Sequence, residues 1–301
     1  MVGRFAPSPS GRMHLGNVFS ALLAWLSVRA QNGTMLLRIE DLDPQRCRPE
    51  YAQTLKADLR WLGLDWDLET PWQSERSAVY ARQFDRLQQM GLVYPCFCTR
   101  NELHAASAPH ASDGTALYSG RCRSLTAEQI AQQTRKPAWR LKVPEENIAF
   151  FDGLQGDYSQ NLARECGDFI IRRSDGVYAY QLAVVTDDAL MGVTEVVRGN
   201  DLLSSTPRQL YLYKLFGFAP PKFYHVPLLV APDGRRLSKR DGDLDMGALQ
   251  RSYTPEQIIG TLAFSAGLLA KNQPISAKEL ASVFSWPQVR HTQTIEIAKF
   301  L

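Results

Sequence analysis

Apolar and polar positions follow two different periods over the first forty residues. Val2 to Ala6 is a short apolar run, which predicts a strand, and Pro7 to Arg12 is rich in Pro, Ser and Gly, which predicts a loop. Leu15 to Ala30 repeats its apolar positions at helical spacing, and Thr34 to Ile39 predicts a second strand. Strand, loop, helix and strand in that order make a βαβ unit. Its parallel strands need a crossover, and its ligand-binding loops follow the carboxyl ends of the strands.

Residues 50 to 91 are predicted to be helical, with Gly91 stopping a helix over Ala78 to Met90, and Leu92 to Cys98 begins something different. From Thr99 to about Arg140 the composition turns to Ala, Ser, Gly, Thr and Gln, which predicts an inserted subdomain running to about Tyr180. The βαβ character returns in Gln181 to Asp187 and Val193 to Arg198. Thr206-Pro207 is a helix start and Gly217 suits its end; Thr254-Pro255 repeats the signal, and Ser276 with Glu279 reads as a capping box. The expectation is an α/β nucleotide-binding domain in two halves, 1–92 and 181–245, with an insertion over 93–180 and a C-terminal helical region over 246–301.

The 301 residues are 45% hydrophobic and 22% charged, which excludes disorder and fibrous repeats. Thirty-four Lys and Arg against 31 Asp and Glu leave a net charge of +3, compatible with an RNA partner without pointing to one. The N-terminus lacks the apolar core of a signal peptide, and no stretch approaches the roughly 18 apolar residues of a membrane span. A cytoplasmic protein with no membrane partner is therefore expected. Five cysteines, at 47, 96, 98, 122 and 166, form no disulfide framework.

Two clusters are candidates for phosphate chemistry, the first reading equally as a polar loop with His14 at a helix start. Between Arg4 and Asn17, prolines and Gly11 shape a loop, and His14-Leu15-Gly16-Asn17 opens a helix, whose start offers N–H groups and a positive dipole end. Far along the chain, Val226 to Ala231 predicts a strand, followed by Pro232-Asp233-Gly234 and the basic run Arg235-Arg236-Leu237-Ser238-Lys239-Arg240. A basic loop can clamp a polyphosphate, but taken alone such a run reads as a solvated face. A third cluster, Cys96-Phe97-Cys98 with Tyr118 and Cys122, offers three thiols and a phenol. By C-x-C spacing alone it reads as buried thiols beside a core tyrosine.

The order RFAPSPSG, HLGN, RIEDLD, VRGNDLL and RLSKR, spread over roughly residues 1 to 250, resembles the class I aminoacyl-tRNA synthetases of the glutamyl group. HLGN matches the HIGH signature and RLSKR the KMSKS signature. Arg236 stands for the first Lys of the latter and Arg240 for its last Ser; Asn17 stands for the second His of the former and cannot act as an acid. The resemblance implies a Rossmann-type ligase that activates L-glutamate with ATP and Mg²⁺. The implied glutamate pocket is Arg4, Phe5, Ala6, Pro7, Ser8, Glu40, Tyr180 and Arg198, with Arg4 on the side-chain carboxylate, Glu40 on the α-ammonium and Arg198 on the remaining acidic face. The implied ATP site is His14, Gly16, Asn17, Arg236, Ser238 and Lys239. His14 and Lys239 are its catalytic residues, stabilising charge on the phosphates.

A short branch of the group also carries the Cys-x-Cys, Tyr and Cys pattern as a structural zinc site, which implies Cys96, Cys98, Tyr118 and Cys122 as ligands, with His104 and His110 as spare donors nearby. Full-length members continue with a helical domain that reads the anticodon, for which this chain is expected to have no room. It therefore resembles the truncated branch, the glutamyl-queuosine tRNA(Asp) synthetases. For these the partner is the anticodon stem-loop of tRNA(Asp) bearing queuosine at the wobble position, glutamate is activated without tRNA, and no protein partner is required. The competing readings are a truncated glutamyl-tRNA synthetase charging a tRNA 3′ end, a nucleotidyltransferase of the same superfamily acting on another small acid, and a non-catalytic RNA-binding paralogue. Retention of His14 and Lys239 argues against the last.

Overall fold

The computed structural model describes residues 1–99, 102, 117–231 and 245–300. The strands among them are, in chain order, β1 (Val2–Phe5), β2 (Thr34–Leu37), β3 (Leu68–Glu69), β4 (Val93–Cys96), β5 (Ala138–Leu141), β6 (Asn147–Asp152), β7 (Gly156–Asn161), β8 (Phe169–Arg172), β9 (Glu195–Gly199), β10 (Lys222–Val226), β11 (Leu228–Val230) and β12 (Thr294–Glu296). Seven of them form one sheet in the order β3-β2-β1-β9-β10-β6-β7, parallel throughout except for the terminal β6-β7 hairpin. The order reverses between β1 and β9, which opens a crevice beyond their carboxyl ends.

Strand periodicity separates two cores. Met35 and Leu37 of β2 and Val197 of β9 belong to one apolar cluster, with helix α1 (Leu15–Ala30) and helix α2 (Pro49–Trp61); Leu36 and Val196 belong to the other. Alternate residues face opposite sides of a sheet, so the clusters are its two faces. The second face is covered by α3 (Ser77–Gln89), which buries Tyr80, Phe84 and Leu87 at helical spacing, and by the helices Tyr180–Leu190 and Thr206–Phe216. Helix α1 is buried nearly all round because the sheet lies on one side and the C-terminal helix Ala277–Ala281 on another. Among the described residues no helix is long and apolar enough to cross a membrane.

Several expectations change in detail. The segment read as helical over 50–91 is two helices: Gly63 turns out of α2 at φ 76°, and Leu68–Glu69 then pairs with β2. The run Val226 to Ala231 is two strands, because Pro227 has no N–H to continue a ladder. Ser205, not Thr206, stands at the N-cap position of the helix Thr206–Phe216, without a side-chain cap bond, and the helix ends at Gly217 in the left-handed conformation; Thr254 and Ser276 cap as read. Within 93–180, β4, β5 and β8 form a separate antiparallel sheet, but the hairpin of β6 and β7 joins the main sheet, where Asp152 is in register with Phe223 of β10.

In the helix Pro255–Ala266, Gly260 is buried against the main chain of Gln273, and a Cβ there would overlap the Gln273 carbonyl oxygen. Replacing glycine by alanine inside a helix normally stabilises by about 1 kcal/mol, but overpacking against a fixed backbone costs about 1–3 kcal/mol. Gly260→Ala is therefore expected to lower stability, read as a lower urea midpoint at unchanged m-value.

Candidate active site

The crevice is a cleft of about 1050 Å³ at the carboxyl edge of the sheet. Arg4, Phe5, Ala6, Pro7, Ser8, Glu40, Tyr180 and Arg198 line it, and so do His14, Gly16 and Asn17. Arg236, Ser238 and Lys239 lie outside the described residues, as do His104 and His110. Asp245, just beyond the basic run, bridges to His14, and Met246 N–H donates to Met13 O at 3.1 Å. The chain just beyond the basic run is thus joined to the head of α1.

Periodicity explains the floor of the cleft. Arg38 and Glu40 follow β2 two residues apart, on the face covered by the helix Tyr180–Leu190. Arg38 is wholly buried; its Nη2 lies 3.0 Å from Glu40 Oε1 and its Nη1 2.6 Å from Asp188 Oδ1. Arg4 Nε lies 3.4 Å from the same Asp188 oxygen, in an ion pair without hydrogen-bond alignment, and Arg4 Nη1 donates to Val197 O at 3.4 Å. Neighbouring Asp187 accepts from Gln73, Arg76 and Tyr80. Burial holds the Glu40 carboxyl above its usual range despite Arg38 and Arg4; Asp188, also buried, is held below it by Arg38 and then Arg4.

Arg198 differs from these. Its Nε donates to His225 Nε2 at 2.9 Å and its Nη2 to Thr206 Oγ1 at 2.8 Å, both uncharged, while its buried Nη1 has no hydrogen-bond partner among the described residues. Burial pulls this guanidinium below its ordinary value. A buried cation with neutral partners is suited to an anion arriving in the cleft.

At the head of α1, Asn17 Oδ1 accepts from His14 N–H at 3.2 Å. The residue that departs from the second His of the signature thus caps the helix start. Gly16 makes room for the imidazole, since a Cβ there would stand 3.0 Å from His14 Cε1. Arg12 ties the preceding loop to Asp58 of α2 and to Gln250 in the helix Met246–Ser252.

The cysteine cluster lies apart, on β4 and the chain after it. The sulfurs of Cys96, Cys98 and Cys122 all lie within 4.8 Å of one another, the last two 3.6 Å apart, and Tyr118 Oη stands 3.6 Å from Cys96 Sγ. Zinc–sulfur bonds of about 2.3 Å in a tetrahedron separate sulfurs by about 3.8 Å, so this donor set fits the ion. Arg140 donates from Nε to Cys96 Sγ at 3.2 Å and stacks 3.8 Å over the Tyr118 ring. Its guanidinium favours the Cys96 thiolate over the burial that opposes it.

Comparison with known proteins agrees with this geometry. The family profile for "tRNA synthetases class I (E and Q), catalytic domain" matches residues 1–295. The chain belongs to that family. A curated relative from Nitratidesulfovibrio vulgaris, named "Glutamyl-Q tRNA(Asp) synthetase", is 50% identical over 94% of this chain and 91% of its own. A relative of the same name from Symbiobacterium thermophilum is 48% identical over 96% of this chain and 94% of its own. The crystal structure of a glutamate tRNA ligase from Elizabethkingia meningosepticum in complex with its amino acid superposes with a TM-score of 0.85 at 29% identity, over 99% of this chain and 67% of that one. Membership of this class I family makes the protein a ligase with a mostly parallel α/β fold, of a class that uses ATP with Mg²⁺.

Reading the sequence alone missed Arg38, Asp187, Asp188, Asp152 and His225. A signal existed for some of them. Arg38 and Glu40 share strand parity, and Asp187-Asp188 interrupts an otherwise apolar helix, so each needs a buried partner. Removing one member of such a network leaves the others uncompensated, at a cost of about 3–5 kcal/mol. Arg38→Met is expected to destabilise the protein by that amount in urea denaturation.

Proposed function

We propose that this protein uses ATP to activate L-glutamate as glutamyl-adenylate, without tRNA, and transfers the glutamate to queuosine at the wobble position of tRNA(Asp). The observation that carries the amino-acid assignment is Arg198, a buried guanidinium whose Nη1 has no hydrogen-bond partner among the described residues, lining the same cleft as Arg4 and Glu40. Glutamate has two carboxylates and one ammonium, and two guanidiniums and one carboxylate are their counterpart. Arg4 receives the side-chain carboxylate, Glu40 the ammonium and Arg198 the other carboxylate, with Ser8 and Tyr180 adding hydrogen bonds. The relatives' shared name supports the queuosine acceptor.

In the reaction, a glutamate carboxylate attacks the α-phosphate of ATP and pyrophosphate leaves; a hydroxyl of queuosine's cyclopentene ring then attacks the carbonyl carbon of the adenylate, forming an ester as the acyl–phosphate bond breaks and AMP and a proton leave. The N-terminus of α1 and His14 serve the phosphates, joined by Lys239 and its neighbours Arg236 and Ser238 from the basic run. Mg²⁺ arrives with ATP and neutralises its charge. The halves 1–92 and 181–245, with the β6–β7 hairpin that joins their sheet, form the catalytic unit, the β4, β5 and β8 part of the 93–180 segment is set toward the acceptor RNA, and 246–301 is a helical brace.

Exchange of labelled pyrophosphate into ATP tests this directly. Glutamate alone is expected to support exchange without tRNA, aspartate and glutamine are expected not to, and Lys239→Ala is expected to reduce it by about 10²-fold or more. Exchange that waits for tRNA(Glu) would favour a truncated glutamyl-tRNA synthetase instead.

We also propose that Cys96, Cys98, Cys122 and Tyr118 hold a structural zinc ion. The buried donor set with tetrahedral separations supports it, as does Arg140, which balances thiolate charge. Metal analysis is expected to find one zinc per chain, and Cys98→Ser to lose the metal and lower the melting temperature. Stoichiometric absence of metal from a folded protein would refute the assignment.

A further inference from the structure

Behind Arg198 lie two buried groups, His225 and Asp152, that the phosphate and glutamate chemistry does not itself use. Arg198 on β9 and His225 on β10 are in register on neighbouring parallel strands, so their side chains share one face of the sheet. Asp152, at the end of β6, is next in line: its Oδ2 lies 2.6 Å from His225 Nδ1. Asp152 and His225 have no solvent exposure and Arg198 only 5%.

The direction of the hydrogen bonds follows from what each atom can do. Arg198 Nε can only donate, so His225 Nε2, 2.9 Å away, accepts. The imidazole proton is then on Nδ1 and is donated to Asp152 Oδ2. Asp152 is fixed in turn, because its Oδ1 accepts from the backbone N–H groups of Leu154, Gln155 and His225 at 3.0, 2.9 and 3.1 Å. Thr206 Oγ1 takes the Nη2 edge of Arg198 and also lies 3.1 Å from His225 Nε2. The guanidinium is thereby tied along its Nε and Nη2 edge.

Neutrality of the ring is consistent with its surroundings. Burial pushes the His225 imidazolium down to about 4, with Arg198 and Arg4 adding to the effect and Asp152 opposing it. Phe223 and Phe150 flank the ring.

We propose that Asp152 and His225 are positioning residues that hold Arg198 in one tautomer-defined orientation and so set the affinity for the acidic amino acid. The proposal rests on the reading of the cleft as a glutamate site. A guanidinium oriented before the ligand arrives loses little freedom on binding, whereas one that swings between orientations must be ordered each time. Selectivity benefits as well, since a buried Arg198 left without an anion disfavours neutral ligands of the same shape.

Asp152→Asn discriminates this from simple packing. The amide oxygen would keep the three backbone N–H bonds, which sets the amide nitrogen against His225 Nδ1. The imidazole proton must then move to Nε2, where it meets the Arg198 Nε–H. Shape and volume are preserved while the donor pattern fails. The expected result in pyrophosphate exchange is a rise in KM for glutamate of about tenfold or more, with KM for ATP changed by less than about twofold. His225→Leu is expected to behave in the same way, and His225→Gln, whose carbonyl can accept from Arg198 Nε, to recover most of the affinity. Thr206→Val, which removes the Nη2 acceptor and leaves the His225–Asp152 pair in place, provides a milder variant should the others fail to fold, with a smaller rise confined to glutamate.

Unchanged glutamate KM in folded Asp152→Asn, or a parallel rise in both KM values, would overturn the proposal. Nitrogen NMR of the unaltered protein at neutral pH tests the relay without any substrate: a neutral His225 protonated on Nδ1 is expected, and protonation on Nε2 would overturn it. If the unaltered protein shows no glutamate-dependent exchange, the functional reading fails and with it the role in glutamate affinity, while the NMR result still decides the hydrogen-bond direction.

Discussion

A single guanidinium under the cleft organises the elements around it. Arg38 is wholly buried and joins Glu40 from its own strand extension to Asp188 of the helix Tyr180–Leu190, with Asp187 alongside. Through Asp188 it meets Arg4 of β1, and through Asp187 it is linked to Arg76, Gln73 and Tyr80. The first βαβ unit is thus joined to the helix that precedes β9 by charge as well as by apolar packing. Burying ions costs several kcal/mol apiece, and well-packed hydrophobic residues would often be as stable. What the ionic layer supplies is direction: the cleft residues are held at defined angles, with polar atoms left for an incoming ligand.

Contrast within the cleft carries the chemistry. Arg4 and Glu40 are already engaged by the layer, so their charges are largely compensated before any ligand arrives. Among the described residues, the hydrogen-bond acceptors of the Arg198 side chain are neutral. The same fold therefore holds one guanidinium balanced and another unbalanced on adjacent strands, a few ångströms apart in the sheet. Electrostatic demand in the cleft is concentrated on the β9 side.

Much of this was legible in the residues. The βαβ opening, the extent of α1 and the caps at Thr254 and Ser276 follow from local preferences, and local preferences are what periodicity reports. The signature residues from Arg4 to Asn17, with Glu40, Tyr180 and Arg198, come round one cleft because they end strands or begin helices at the same sheet edge. What was not legible depends on pairing between distant segments. The hairpin of β6 and β7 joins the main sheet through its contact with β10, which no local pattern announces. Likewise, Asp152 and His225 are 73 residues apart and become partners only through that sheet order. Thr206 looked like a helix cap and is instead an acceptor for Arg198, a use visible only once β9 lies beside the helix start.

The last strand bears on the cleft in a different way. Thr294–Glu296 pairs in register with Leu228–Val230, and Leu228 and Leu229 line the cleft. One rim of the site is therefore held by a strand contributed by the C-terminal region, while Asp245 is bridged to His14 at the head of α1. A substitution that frays β12 would loosen that rim from nearly seventy residues away in the chain.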